Sequence, residues 1–320
     1  MKKRIFQQAN TQWLKNHHKR IIGNYTHHQD GPLLIVMGAI HGNEPAGVKA
    51  LQAVLNQLKK WKLPILGEFI GLVGNLRALS QQKRYLKADL NRQWGMENVI
   101  RIQNAANHEL LKEEDLEQKE LLELLTELLP TDKNRRRVVL LDLHTTSAEG
   151  VAYTIATSIG ASRTLAENLG VPVILDLDRA VSGTTLNYFS EMELESFCFE
   201  AGQHDDEDSV RRTVSAIWQM LVHVGCIESS QLPLFDEHKT VLHDLGKKLA
   251  RTVRYKYRHA IQPRDRFRMI AGFDNFQPIQ KGQLLAHDRE GAVYAPFSGI
   301  MLMPLYQAQG KDGFFIVEEV

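Results

Sequence analysis

Apolar positions along this 320-residue chain fall into short continuous runs and into regularly spaced faces. Residues 33–40 form an unbroken run rich in Leu, Ile and Val behind Pro32, the pattern of a buried strand. Pro45 then opens residues 46–58, where Val48, Leu51, Val54, Leu55 and Leu58 recur at helical spacing. Proline suits the first helical position because its missing N–H is not needed there. A strand followed by a helix is the unit of an α/β fold. Residues 69–73 predict a second short strand, and residues 97–129 a long acidic, Leu-rich helical stretch in one or two pieces, ended by Pro130. Its residues Leu121, Leu122, Leu124, Leu125, Leu128 and Leu129 read as a face packed on a sheet rather than a partner-binding stripe. The basic run 135–137 reads as a solvated loop leading into a further buried strand at 138–143. Strands follow at 151–155, 171–175 and 197–200. Residues 209–224 read as a helix with Val210, Val214, Ile217, Leu221 and Val224 on one face. The polar, basic first 30 residues read as edge structure or a lead-in.

After about residue 230 the texture changes. A connecting helix is expected over 235–249, and beyond it turn signals at 262–266, 281–282, 289–291, 296–299 and 309–313 separate short β segments. This divides the chain into an α/β unit, residues 1–232, and a smaller β-rich unit, residues 233–320.

Composition narrows the function classes. Lys and Arg total 39 against 38 Asp and Glu, a formal charge of +1, which argues against a nucleic-acid binder. Only Cys198 and Cys226 are present, so neither a disulfide framework nor a four-cysteine zinc ribbon is available. No apolar run approaches the ~20 residues of a membrane span, and the basic N-terminus lacks a signal peptide's apolar stretch. A cytoplasmic protein is expected, its oligomeric state open and a homo-oligomer included.

The 13 histidines need sorting. His17, His18, His27, His28 and His204 lie in polar surroundings and read as solvated, and most others have no context that selects them. Two stand directly behind predicted buried strands: His41 after 33–40 and His144 after 138–143. Ligands in open α/β sheets bind beyond the carboxyl ends of strands, where side chains from two strands converge. Glu44 lies three residues after His41 on a turn shaped by Gly42 and Pro45, so both can reach one point. Two imidazoles and a carboxylate are a catalytic zinc set, with the fourth position left for water. Asp142, two residues before His144 and so on the same strand face, either orients that imidazole or bonds backbone.

The strings GAIHGNEPAG at 38–47, DLNR at 89–92 and DLHTT at 142–146 together resemble the succinylglutamate desuccinylase/aspartoacylase family, a branch of the zinc carboxypeptidase-like hydrolases. The resemblance spans roughly residues 33–202. It implies a zinc-carboxypeptidase-like mixed sheet flanked by helices, with the smaller C-terminal β-rich domain capping the site. It implies one Zn2+ per chain on His41, Glu44 and His144, and a general base at Glu200 in the string FCFEAG. A carboxylate at the end of an apolar strand loses hydration, which raises its pKa toward the range useful for proton transfer. Arg84, ahead of the DLNR string, matches the family's carbonyl-polarising arginine, and Asn91 and Arg92 match its substrate-carboxylate pair. A fixed cation stabilises a developing oxyanion, and a guanidinium fork suits a carboxylate.

The chain also departs from the family pattern. A further substrate-binding arginine of aspartoacylases falls at Ser190 here, and the tyrosine of the C-terminal domain has only Tyr306 as a candidate. Both put an N-acetylaspartate specificity in doubt. Residues 182–185 are a candidate substrate-facing loop. Residues 278–304 loosely resemble a lipoyl- or biotinyl-like unit without the lysine-bearing hairpin tip, so a capping role is expected. The function implied is a zinc-dependent amide hydrolase, a deacylase of a small N-acyl amino acid. The alternatives are a zinc carboxypeptidase or peptide amidase on short peptides, and a zinc- or ligand-binding protein without turnover.

Overall fold

A computed structural model describes residues 20–320 apart from 111, 132–135 and 159; His17, His18 and Arg135 lie outside the described residues. The strands are β1 (Ile21–Thr26), β2 (His28–Gly38), β3 (Leu66–Val73), β4 (Val138–Thr146), β5 (Tyr153–Ala156), β6 (Val173–Leu175), β7 (Glu195–Gln203), β8 (Thr252–Ala260), β9 (Arg268–Met269), β10 (Pro278–Ile279), β11 (Leu284–Asp288), β12 (Gly291–Tyr294), β13 (Gly299–Leu302) and β14 (Asp312–Glu319). The helices are α1 (Ala46–Trp61), α2 (Leu76–Ser80), α3 (Met96–Asn104), α4 (Glu113–Leu128), α5 (Ala161–Asn168), α6 (Leu177–Ala180), α7 (Thr185–Glu191), α8 (Glu207–His223) and α9 (Phe235–Gly246).

Eleven strands form one mixed sheet in the order β1-β3-β2-β4-β7-β5-β6-β8-β14-β13-β10, and β9, β11 and β12 form a small second sheet. The neighbours β3, β2, β4 and β7 run parallel, so the carboxyl ends of β2, β4 and β7 lie side by side. Residues 233–320 join this sheet through β8, which pairs in parallel with β6 and antiparallel with β14. Helices cover both sheet faces. On one, Leu51, Val54 and Leu55 of α1 and Ile217, Trp218 and Leu221 of α8 pack against Leu34, Val36, Val139 and Phe197. On the other, Leu121, Leu122, Leu124 and Leu125 of α4 and Val99 and Ile102 of α3 pack against Leu33, Ile35, Leu140 and Ile70. The Leu-rich face of α4 is therefore core. The helical stretch predicted over 97–129 is two helices, α3 and α4, with a short 3-10 turn at Asn107–Glu109 between them.

Two polar features differ from the sequence reading. Arg136 and Arg137 are anchors rather than solvated loop charges. Arg136 donates to the carbonyls of Gly31 and Pro32 and pairs with Glu68, while Arg137 pairs with Glu195 at 2.6 Å and so ties β4 to its neighbour. The acidic start of α4 is equally internal. Glu117 is fully buried and accepts from Arg20, Arg77 and the backbone N–H groups of Leu76 and Arg77, which fixes α2 beside the end of β3. Arg20 also donates to the carbonyls of Val73 and Gly74 and pairs with Glu120. Burying an ion pair is tolerable only with further hydrogen bonds of this kind, and removing one partner strands the other. Glu117→Ala should therefore cost about 3 kcal/mol or more, read as a lower urea midpoint at unchanged slope. A loss below about 1 kcal/mol would mean Glu120 alone can hold Arg20.

Candidate metal and substrate site

β2 ends at Gly38, and the chain turns through Ala39, whose φ of +56° lies in the left-handed region. The turn delivers His41 and Glu44 to the carboxyl edge of the sheet just before α1. Gly42 is required there: a Cβ would lie 2.1 Å from the backbone of Ala78 on α2. From β4 comes His144, which belongs to the strand rather than following it, because pairing with β7 continues through Thr146. Residues two apart share a strand face, and the register sets Asp142 beside Cys198 and His144 beside Glu200. These four side chains thus share one face at the sheet's carboxyl edge.

Glu44 sits at the centre. Its Oε1 lies 2.9 Å from His41 Nδ1 and its Oε2 lies 3.1 Å from His144 Nδ1, and the Thr145 backbone N–H donates to Oε2. All three residues are buried, and one ligand atom of each lies within 4.8 Å of the others. The second nitrogen of each imidazole faces another carboxylate. His41 Nε2 is 3.0 Å from Asp89 Oδ1, and His144 Nε2 is 3.1 Å from Asp142 Oδ2, though not aligned as a hydrogen bond. Burial opposes the charge on Glu44, yet His41 and His144 hold its carboxyl well below the ordinary range. Burial also opposes a charged His144, and Asp142 overrides it, so its pKa rises well above the usual value.

This donor set fits a divalent zinc ion. A tetrahedral ion with bonds of about 2.0–2.1 Å separates its ligands by about 3.3 Å, close to the nitrogen–oxygen distances here. Carboxylates behind both ligand imidazoles are the usual means of fixing ring tautomer and orientation. A second group, Asp142, His144 and Cys198, also has close donor atoms, but it shares His144. Burial pushes the Cys198 thiol up to about 11, which disfavours the thiolate a metal needs.

Glu200 lies on β7 beside His144, buried, with Oε2 unpartnered. Loss of hydration pushes its carboxyl up to about 8 against the pull of His144 and Arg84. Arg84 donates from Nε and Nη2 to Asp89 at 3.2 and 3.1 Å and approaches Glu44 Oε1 at 3.6 Å. Burial alone would weaken its charge, but Asp89 and Glu44 raise its pKa. Asn91 and Arg92 sit in a 3-10 turn capped by Asp89, whose carboxylate accepts from the Asn91 N–H. The Asn91 side-chain oxygen accepts from the backbone N–H of Thr185, whose hydroxyl donates to Asp142. Arg92 pairs with Asp312 at 2.8 Å. His41, Glu44, Arg84, Asn91, Arg92, His144 and Glu200 all line one pocket.

Sequence reasoning missed several participants. Asp89 appeared only as a letter in a motif, whereas it contacts His41, Arg84 and the following turn. His204 is no solvated histidine: Nδ1 lies 2.7 Å from the Thr145 hydroxyl and Nε2 3.2 Å from Gln307, and burial lowers its pKa. The Thr184–Thr185 segment does reach the site, and Gly183 allows it, since a Cβ there would meet the Arg92 carbonyl at 2.6 Å. Ser190 is exposed on α7. The Tyr306 hydroxyl is held by the backbone of Ile270 and Phe273, and the adjacent Gln307 lines the pocket instead.

A sequence model of the succinylglutamate desuccinylase/aspartoacylase catalytic domain matches residues 30–223 of this chain. The chain belongs to that family. Succinylglutamate desuccinylase of Photorhabdus laumondii is 34% identical over 86 residues, 27% of this chain and 26% of that protein. The same enzyme of Erwinia tasmaniensis is 36% identical over 62 residues, 19% of each chain. These matched stretches span about a quarter or less of the curated relatives' length. Solved structures agree in fold over nearly the whole chain. An ectoine utilization protein of Ruegeria pomeroyi, solved with product bound, superposes with a TM-score of 0.65 at 15% identity, covering 92% of this chain and 87% of that one. Murine aminoacylase 3 gives 0.64 at 17% identity, covering 92% and 97%. Family membership accounts for the mixed sheet and the smaller C-terminal β region.

The segment carrying Arg84 is tethered from α4. Glu114, fully buried, accepts from the backbone N–H groups of Leu86, Lys87 and Ala88. Glu114→Ala leaves three donors unsatisfied at about 1 kcal/mol or more each. Amide hydrogen exchange at Leu86, Lys87 and Ala88 should accelerate more than tenfold, while β2 and β4 keep their protection. Unchanged exchange there would show that the loop is held by other means.

Proposed function

We propose that the chain is a zinc-dependent amide hydrolase that deacylates a small N-acyl amino acid. The observation carrying this reading is the burial of Glu200, with one unpartnered carboxylate oxygen, beside the His41–Glu44–His144 cluster in a single pocket. His41, Glu44 and His144 would hold one zinc ion. Bound there, zinc supplies a Lewis acid for the scissile carbonyl and lowers the pKa of water toward neutrality.

The chain's own groups carry the rest. Glu200, with a carboxyl raised by burial, takes the proton of the attacking water and later delivers it to the departing amine. The Arg84 guanidinium, held by Asp89, stabilises charge developing on the carbonyl oxygen. Asn91 and Arg92 hold the substrate's carboxylate. Because the Asn91 oxygen accepts from Thr185, its amide nitrogen is the end left to donate. Asp142 and Asp89 orient the ligand imidazoles.

Residues 1–232 form the catalytic unit in this reading, and residues 233–320 cap it. Supporting the cap, Gln307 accepts from Asn43, Gln309 donates to the Tyr85 carbonyl, and Met303, Leu305 and Asp312 line the pocket. A roof of this kind suits small substrates over peptides. Among the described residues no helix is long and apolar enough to cross a membrane. We place the activity in the cytoplasm.

Glu200→Ala should retain stoichiometric zinc by elemental analysis and lose about 10²–10⁴-fold in deacylation of N-acyl amino acids. A chelator should abolish wild-type turnover, and added zinc should restore it. Full activity in Glu200→Ala would sink the assigned mechanism. Preferential cleavage of short peptides would favour a carboxypeptidase, and zinc loading without turnover a binding protein.

A further inference from the structure

The arginine assigned to the substrate's carboxylate already has a carboxylate partner from the other end of the chain. Asp312, at the start of β14, accepts from Arg92 Nη2 at 2.8 Å with Oδ2 and from Arg258 Nε at 2.6 Å with Oδ1. Arg258 on β8 is fixed in turn by the Ala180 carbonyl at the end of α6. Two guanidinium groups thus share one carboxylate at the pocket wall, leaving a surplus of one positive charge. A second carboxylate, Asp178 on α6, lines the same pocket with its Oδ1 buried and unpartnered. Lys311, exposed to solvent, and Thr184 also line the pocket, and the apolar part of its wall is Ile155, Leu177, Val181, Leu186 and Phe315.

We infer that Asp312 is a specificity-determining residue that restricts this site to substrates with one carboxylate and an apolar substituent, excluding dicarboxylic N-acyl amino acids. The inference rests on the amide-hydrolase reading above and names its substrate class. One carboxylate matches the single surplus charge of the Arg92–Asp312–Arg258 cluster. Apart from the exposed, water-screened Lys311, a second would have to displace Asp312 from a paired, nearly buried position, or approach the unpartnered oxygen of Asp178. Either route places like charges together in a poorly hydrated pocket, a repulsive element that separates substrates more sharply than added attraction. An aliphatic or thioether side chain laid against the apolar part of the wall gains by leaving water. Asp312 does not touch the reacting atoms. It acts through Arg92, so its effect falls on KM for the second carboxylate more than on kcat.

The test compares kcat/KM of the zinc-loaded enzyme for N-acetyl-L-leucine and N-acetyl-L-methionine with that for N-acetyl-L-aspartate and N-succinyl-L-glutamate. The wild type should favour the monocarboxylates by about tenfold or more. Asp312→Asn should narrow that ratio by about tenfold, through a lower KM for the dicarboxylates. Asp178→Asn should narrow it in the same sense, and serves if Asp312→Asn does not fold. A wild type that prefers either dicarboxylate overturns the inference, as does an unchanged ratio in both variants. Calorimetric titration of the zinc-loaded wild type with L-leucine and L-aspartate separates this from failure of the hydrolase reading. Without turnover of any substrate, tighter leucine binding keeps the selectivity and rejects the activity. Tighter aspartate binding without turnover rejects both.

Discussion

The Glu44 carboxylate, buried between two imidazoles, is the constraint that organises this site. A buried carboxylate is costly unless every lone pair is met. Here His41 meets it from the turn after β2 and His144 from β4, the Thr145 N–H from a third direction, and Arg84 from 3.6 Å. Bringing those partners together fixes much else. β2 and β4 must be parallel neighbours, the turn after Gly38 must pass tightly beneath α2, and the Arg84 segment must fold back over the sheet edge. The outer carboxylates Asp89 and Asp142 compensate the imidazoles in turn. The cluster therefore alternates between carboxylate and imidazole outward from Glu44, each group held by the next.

That alternation qualifies the chain's formal charge of +1. The average conceals a pocket whose cations are nearly all paired: Arg84 with Asp89 and Arg92 with Asp312. It also conceals an acidic helix start whose carboxylates Glu114, Asp115 and Glu117 are buried. The first turns of α4 look solvated by composition, but Glu114 and Glu117 gather backbone N–H groups from two segments that frame the site. Both act as internal caps for chain that has no regular partner of its own.

The elements that can be read from sequence are those whose signal is local. The buried run at 33–40, the helical spacing from Val48 to Leu58 and the histidines at two strand ends each follow from neighbours a few residues apart, and the strands and helices appear where those patterns fall. The exact end of β4 does not, because its last residues are strand only by virtue of pairing with β7. The environment of His204 is equally non-local. Asp205 and Asp206 beside it suggest water, while Thr145 and Gln307, distant in sequence, enclose it. Asp89 is a third case, since nothing near it announces a contact with His41, 48 residues away. Nor is the role of Asp312 local: its two arginine partners lie 220 and 54 residues from it.

This division has a physical consequence for how such a site diversifies. Among the proposed chemical groups, His144 and Glu200 sit on β4 and β7, where parallel register fixes their spacing to that of the sheet itself, and His41 and Glu44 sit on the turn that leaves β2. The charged groups Asp178 and Asp312 at the pocket wall come from elsewhere, α6 and the start of β14. Their positions depend on side-chain pairs rather than on the ladder of the central strands. A substitution at Asp312 or Asp178 can change which ligand is tolerated while leaving His41, Glu44 and His144 where the sheet holds them. Pairing Arg92 with an internal carboxylate is such a change. It keeps the guanidinium oriented by a partner within the chain, and it lowers the charge available to a ligand without altering the metal cluster. Selectivity and chemistry are therefore separable in this fold, because one is held by backbone pairing and the other by ion pairs between distant segments.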